Sequence, residues 1–349
     1  MDHVVISLGH LTSCDQAHWQ SYLSVPTPIS PSSLFFRDIQ RRDVVDSDST
    51  ILSPELINLS KRAQFVVDAN TVSRMSKFMQ YSAASYFDSV IISGEWECGV
   101  VCEGDTKDTV IQTVFLQTRG KNTAGIVAIQ PSSKTIVVAF RGAVEFSDWI
   151  INIRFKKRSA PWLNDGVVST NRKRVPFPNN LEIHSGFQSA YLDIRSLMMA
   201  GIRTAQKKYP GFKLVFTGHS LGGALASLAA ADYVNHESGD TSYVSVYSYG
   251  EPRIGNSQWA DWFDNLPLAS YRVTSQSDPV PRLPPYIMGY RHTKQEYFIT
   301  SDRVTETCTN SGVAGETTDC STETLFSVGV YAHIYGYYWP SGGRDFPDS

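Results

Sequence analysis

The pentapeptide Gly218-His219-Ser220-Leu221-Gly222 places one hydroxyl between two glycines. A β-prone apolar run at 213–217 precedes it and a small-residue-rich apolar stretch at 221–234 follows, which predicts a strand, a tight bend and a helix. Such a bend turns the serine Oγ clear of the sheet, and glycines flank it because a Cβ there would collide with neighbouring backbone. The fitting chemistry is nucleophilic attack on a carbonyl carbon; a purely structural glycine-rich turn is the competing reading. A neutral hydroxyl attacks poorly, so a histidine must take its proton and a carboxylate must orient that histidine.

On sheets that carry this bend the chain order is serine, acid, histidine. Asp278 follows a predicted strand at 271–274 after a short loop and precedes Pro279. That puts it at the carboxyl edge of a sheet, where open α/β folds gather functional residues. The plainer alternative is an aspartate that starts a turn before proline. Asp261, Asp264 and Asp302 fall in polar stretches and are weaker candidates. For the base, the choice narrows to His292 and His333. His333 stands in the aromatic run Tyr331-Ala332-His333-Ile334-Tyr335-Gly336-Tyr337-Tyr338, whereas His292, near Arg291 and Lys294, reads as solvated or structural. Ser220, Asp278 and His333 are therefore the expected triad.

Three such side chains need a rigid frame. Strand-like runs occur at 110–116, 125–130, 135–140, 213–217, 243–249 and 271–274, with helical stretches at 186–209 and 221–234 and one or two helices within 63–88. Strands alternating with helices predict the α/β class: a central, mostly parallel sheet with helices on both faces. Residues 156–182 hold Lys156, Lys157, Arg158, Arg172, Lys173 and Arg174 among Pro, Asn and Ser, and read as a long loop. Residues 1–50, rich in Ser, Pro and Asp, read as a loosely packed extension, and 51–349 as the catalytic domain.

Composition narrows the function classes. The 349 residues carry 31 Lys plus Arg against 34 Asp plus Glu, with 42% hydrophobic and 12% aromatic residues. That is a core-forming chain with no basic surplus for nucleic acid. No apolar stretch reaches the roughly 18 residues that span a bilayer, and no H-E-x-x-H or comparable ligand cluster occurs, so neither metal nor cofactor is expected. The start, with Asp2 and His3 where a signal peptide carries positive charge, gives no clear signal. Cysteine usage points toward export: Cys98 and Cys102 are four apart, Cys308 and Cys320 twelve apart, and Cys14 is left over. A four-thiolate zinc site would want tighter pairs.

Residues 135–155, 184–191, 213–226, 250–255, 277–285, 289–298 and 332–338, in this order, resemble the secreted fungal triacylglycerol lipases known as class 3 lipases. The resemblance implies an α/β-hydrolase fold and the same triad, with structural roles for His184, His219 and His292. It also implies bridges Cys98–Cys102 and Cys308–Cys320, an extracellular location, and a monomer that acts on acylglycerol or other lipid esters at a lipid-water interface. The oxyanion hole falls to the amides of Leu221 and Ala143. Relatives usually carry Ser or Thr at the second place, so Ala143 departs by offering only its N–H.

The segment Val144, Glu145, Phe146, Ser147, Asp148, Trp149 and Ile150 stands where those lipases carry a mobile amphipathic lid, with Trp149 as its anchor; a fixed surface helix is the plainer alternative. Phe146, Trp149 and Ile150 favour long acyl chains over the soluble aromatic esters taken by feruloyl esterases of this fold. A phospholipase A1 would use the same triad, and a catalytically silent lipid-binding relative is the least favoured reading. The basic stretch at 156–174 is a candidate contact for anionic head groups.

Overall fold

A computed structural model describes residues 66–117, 123–144, 155–165, 175–236, 240–308, 320 and 330–338. The chain divides into two units, Met1–Leu56 and Ile57–Ser349, and every described residue belongs to the second. Helices α1 (Ala69–Ala84) and α2 (Asp88–Ile91) lead into strands β1 (Val110–Leu116), β2 (Ala124–Gln130) and β3 (Thr135–Phe140). A short pair, β4 (Lys157–Ser159) and β5 (Glu182–His184), precedes α3 (Ser185–Lys208), β6 (Lys213–His219) and α4 (Leu221–His236). Then follow β7 (Val244–Tyr249), α5 (Ser257–Asp264), β8 (Ala269–Ser275), β9 (Glu296–Ile299), β10 (Thr305–Cys308) and α6 (Val330–Tyr335).

Eight strands form one sheet in the order β1-β2-β3-β6-β7-β8-β9-β10. Its centre, from β3 through β9, is parallel, and antiparallel pairs close both edges. Side chains alternate across this sheet. Ile136, Val138 and Phe140 of β3 join Leu214, Phe216, Val244 and Val246 in the core beneath α3, α4 and α5. Val137 and Ala139 join Val215, Tyr247 and Tyr249 in the core on the opposite face, against α1. Because the strand period is two, a one-residue slip of β3 would exchange both sets, so burial on two faces fixes the register. Almost the whole of α4 is buried, as its lack of a polar face demands. The strand-turn-helix segment that carries Ser220 is therefore held by packing on every side.

Three expectations change. Residues 156–182 are not an uninterrupted loop: β4 pairs with β5, and a helical turn spans Pro161–Leu163. The strand β4 is three residues long and basic, and its partner lies far along the chain, so local pattern hides it. The strands β9 and β10 were not anticipated, because Glu296, Thr305, Glu306 and Thr307 break the apolar pattern. Finally, β6 runs on through Gly218 and His219 to the serine itself. Both predicted bridges, Cys98–Cys102 and Cys308–Cys320, are formed. Among the described residues no helix is long and apolar enough to cross a membrane.

Candidate active site

The bend between β6 and α4 puts Ser220 at a φ of 59°, in the left-handed region that side chains rarely adopt. The geometry shows why glycines surround it. A Cβ on Gly218 would lie 2.1 Å from the Gly222 carbonyl oxygen, and one on Gly222 would lie 2.3 Å from that of Phe140. The bend is clamped from the next strand, since Ser220 N–H donates to the Tyr249 carbonyl at 2.8 Å. Ser220 is 2% exposed, and its Oγ makes no hydrogen bond among the described residues.

Asp278 lies just beyond the carboxyl end of β8. One oxygen does turn a corner, as the plainer reading held: Oδ1 accepts from Val280 N–H at 2.8 Å. Oδ2 does something else, accepting from His333 Nδ1 at 2.8 Å and from the Tyr337 hydroxyl. Each of the two residues is 1% exposed, so the pair sits away from competing water. The bond assigns the tautomer: Nδ1 carries the proton, and Nε2 presents a lone pair. The structure thus brings His333 and Asp278 into direct contact, while a Ser220–His333 hydrogen bond is not formed. Catalytic hydrogen bonds are often long until substrate closes the site.

The base is braced by the nucleophile's own neighbour. His219 Nε2 donates to the His333 carbonyl at 2.9 Å, and the two imidazole rings lie with centroids 4.5 Å apart, tilted by 33°. Burial first, and then the adjacent His333, hold the His219 pKa well below the ordinary imidazole range, so it stays neutral. Its Nδ1 meets the Tyr86 hydroxyl at 3.2 Å. Tyr86 also underlies the Arg141-Gly142 turn, where a Cβ on Gly142 would lie 2.1 Å from that hydroxyl. This turn delivers Ala143. Leu221, as the first residue of α4, has an amide with no acceptor within its own helix.

Among the described residues, His184, His292 and His236 hold neighbouring backbone or carboxylate groups. His184 caps α3, its Nδ1 accepting from Gly186 N–H at 3.1 Å and Phe187 N–H at 3.2 Å. His292 is buried rather than solvated, and its Nε2 donates to the Pro281 carbonyl at 2.6 Å, pinning the loop that follows Asp278. His236, a third histidine downstream of Ser220 that the sequence reading passed over, pairs with Asp232 at 2.9 Å beside Arg195. Sequence reasoning also gave no role to Tyr86 or Tyr337. Tyr337, four residues after His333 in the aromatic run, carried a usable signal; Tyr86, 133 residues from His219, carried none. Of the lid segment only Val144 is described, and it is exposed; Glu145, Phe146, Ser147, Asp148, Trp149 and Ile150 lie outside the described residues. Among the described residues no group of His, Cys, Asp and Glu is arranged to hold a metal ion.

One buried acid behind the bend makes a stability prediction. Glu251 is fully enclosed, and burial pushes its carboxyl pKa up against the opposing hydrogen bonds from Ser248 and Ser227, the latter at 2.7 Å. A carboxyl whose pKa is raised by folding favours the native state most below its unfolded pKa. That contribution is lost as pH rises through the folded pKa. Glu251→Gln should therefore stabilise the protein increasingly from pH 4 to pH 8, read as a widening gap in Tm. A gap that does not change with pH would show that folding does not raise the Glu251 pKa.

Comparisons with known proteins agree with this geometry. The family model described as Lipase (class 3) matches residues 137–288. A lipase of Rhizomucor miehei is 30% identical over 266 residues, 75% of this chain and 68% of that one. A secreted mono- and diacylglycerol lipase of Fusarium solani is 32% identical over 247 residues, 70% of this chain and 68% of that one. A solved triacylglycerol lipase, whose catalytic centre is described as a serine protease triad, superposes with a TM-score of 0.67 at 30% identity, over 77% of this chain and 95% of that one. An elbow serine, a buried histidine-aspartate pair on an eight-stranded α/β-hydrolase sheet, and relatives at this level of identity and coverage place the chain in the class 3 lipase family.

Proposed function

We propose that the protein hydrolyses long-chain acylglycerol esters outside the cell, with Ser220 as nucleophile, His333 as general base and acid, and Asp278 as the orienting carboxylate. The observation that carries this reading is the 2.8 Å bond from His333 Nδ1 to Asp278 Oδ2, which commits one ring nitrogen and leaves Nε2 basic. Ser220 Oγ attacks the ester carbonyl as its proton passes to Nε2, and the tetrahedral oxyanion accepts from the amides of Leu221 and Ala143. Collapse breaks the ester C–O bond, and the imidazolium returns its proton to the leaving alcohol. Water then attacks the acyl-enzyme, gives a proton to Nε2, and frees the fatty acid and the serine. Burial of Ser220 means that a cover must open before substrate enters, and we assign Val144 to Ile150 as that cover. Two disulfides and the secreted Fusarium relative support the location.

The test is one preparation assayed on a dissolved short-chain ester, an emulsified long-chain triacylglycerol and a phospholipid. The expected result is a rate that climbs sharply once the substrate forms an interface, with the glyceride preferred. Preference for the first acyl position of the phospholipid would make the enzyme a phospholipase A1, and activity on dissolved esters alone would make it an esterase without lipid specificity. A second expectation concerns the oxyanion hole. Ala143→Ser adds a hydroxyl beside the developing charge, and kcat should rise by about three- to tenfold with KM unchanged. An unchanged or lower kcat would mean that the backbone amides already saturate the hole.

A further inference from the structure

The two oxyanion amides come from turns that follow β3 and β6, neighbours in the parallel part of the sheet, where Phe140 faces Gly218. The turns are in backbone contact. A Cβ on Gly222 would lie 2.3 Å from the Phe140 carbonyl oxygen, and one on Gly142 would lie 2.7 Å from that of His219. Strand β3 ends at Phe140, and the Arg141 amide makes the last bond to β2, donating to the Ala124 carbonyl at 2.9 Å. Gly142 and Ala143 lie past the sheet, so what fixes them must come from another element.

Tyr86 reaches this junction from the end of α1. Its hydroxyl meets the Gly142 amide on one side and His219 Nδ1, at 3.2 Å, on the other. The protons along this line can be assigned. His219 is neutral and its Nε2 faces the His333 carbonyl, so Nε2 carries the ring proton and Nδ1 a lone pair. The Tyr86 O–H must then donate to Nδ1, which leaves its oxygen to accept from the Gly142 N–H. One directional chain results, from the Gly142 amide through Tyr86 and His219 to the backbone of the base. The tyrosine is itself anchored. The Ser82 and Thr217 hydroxyls pair at 2.9 Å, Thr217 Oγ1 donates to the Phe78 carbonyl at 3.1 Å, and the Tyr86 amide donates to the Ala83 carbonyl at 3.1 Å. Helix α1 is thereby tied to β6 three residues before the nucleophile.

From this arrangement we propose that Tyr86 is a positioning residue for the reaction: its hydroxyl locks the Gly142-Ala143 turn and the His333 backbone into one frame, so that oxyanion donor and base keep their places as charge develops. The inference rests on the serine-hydrolase reading of the site. An oxyanion donor misplaced by about 1 Å loses much of its effect on rate, whereas ground-state binding is little changed. The experiment compares Tyr86→Phe with Tyr81→Phe, a control in the same region that removes a buried hydroxyl bonded to Thr109 at 2.7 Å. Each full-length protein is assayed on a dissolved short-chain ester and titrated with an alkyl boronic acid, whose adduct with Ser220 places an oxygen among the oxyanion amides. Tm and amide hydrogen exchange are measured on the same preparations.

Tyr86→Phe should lower kcat about ten- to hundredfold with KM within about twofold of the parent, and weaken the boronic acid by the same factor as kcat. The Gly142 amide should exchange at least about tenfold faster. Tyr81→Phe should lower Tm at least as much as Tyr86→Phe while leaving kcat and the boronic acid affinity unchanged, a contrast that a merely structural role for Tyr86 would not produce. A kcat within about threefold of the parent, equal losses of kcat in the two variants, or a rise in KM in place of a fall in kcat overturns the proposal. So does a fall in kcat without a matching loss of boronic acid affinity, or unaltered exchange at Gly142. Should the parent protein hydrolyse no ester, the functional reading falls instead, and exchange at Gly142 still decides whether Tyr86 holds the turn.

Discussion

Ser220→Ala is expected to lower kcat by about a millionfold on a dissolved short-chain ester, and to abolish labelling by an organophosphonate. The reason is that the triad acts as a unit: without Oγ, the proton that His333 is placed to accept does not exist, and no acyl-enzyme forms. His333→Ala should cost about as much, and the double variant little more than either single one. What survives, about 10³- to 10⁴-fold over water, is the contribution of the oxyanion amides and binding. Stability separates this from misfolding. Ser220 holds a φ of 59°, which strains any residue with a Cβ, so alanine keeps the strain and should leave Tm near the parent value. Glycine relieves it, and Ser220→Gly should raise stability by about 1 kcal/mol while being equally inactive. A stable Ser220→Ala protein that keeps more than about a hundredth of parental kcat would place the nucleophile elsewhere.

The parts legible in the sequence are those in which local pattern and tertiary environment agree. The strands β1 and β3 were delimited to the residue because each is a β-rich run that a polar residue follows, Gln117 after β1 and Arg141 after β3. The helix α4 was legible because a stretch with no polar face must lie inside. Asp278 and His333, 55 residues apart, were reached through chain order and the demands of a serine nucleophile, with local cues choosing among the candidates: a predicted strand just before Asp278 and an aromatic run around His333. What stayed hidden depends on partners distant in sequence. The strand β4 exists because Lys157 faces His184 across a two-stranded pair, and a basic tripeptide does not announce that. Tyr86 acquires a role only when the fold carries its hydroxyl to His219 and beneath Gly142. His292, flanked by Arg291 and Lys294, read as either solvated or structural, and its buried side chain, bonded to the Pro281 carbonyl, decides for the second. Charged neighbours in sequence say little about where one imidazole points.

Asp278→Asn tests the electrostatic half of the pair and is expected to lower kcat by about 10⁴-fold near neutral pH. The structure explains why an isosteric change should be so costly. Oδ1 accepts one bond, from Val280 N–H, and Oδ2 accepts two, from His333 and from Tyr337. A carboxamide has one acceptor oxygen for these two places. If its oxygen stays with Val280, its NH₂ faces His333 and forces Nδ1 to become the acceptor, which moves the ring proton to Nε2 and removes the base. If its oxygen turns to His333 instead, two N–H groups meet at Val280, and the turn that carries the residue is disrupted. Either way the imidazolium formed during attack loses its counter-charge. Tyr337→Phe supplies the control: it removes one neutral donor from Oδ2 while leaving the carboxylate and the His333 bond in place. Its loss in kcat should be about tenfold or less, with the pH dependence of kcat/KM displaced rather than abolished. Were Asp278→Asn and Tyr337→Phe to cost the same, the carboxylate would matter only as an anchor for the ring, and its charge would have no part in stabilising the transition state.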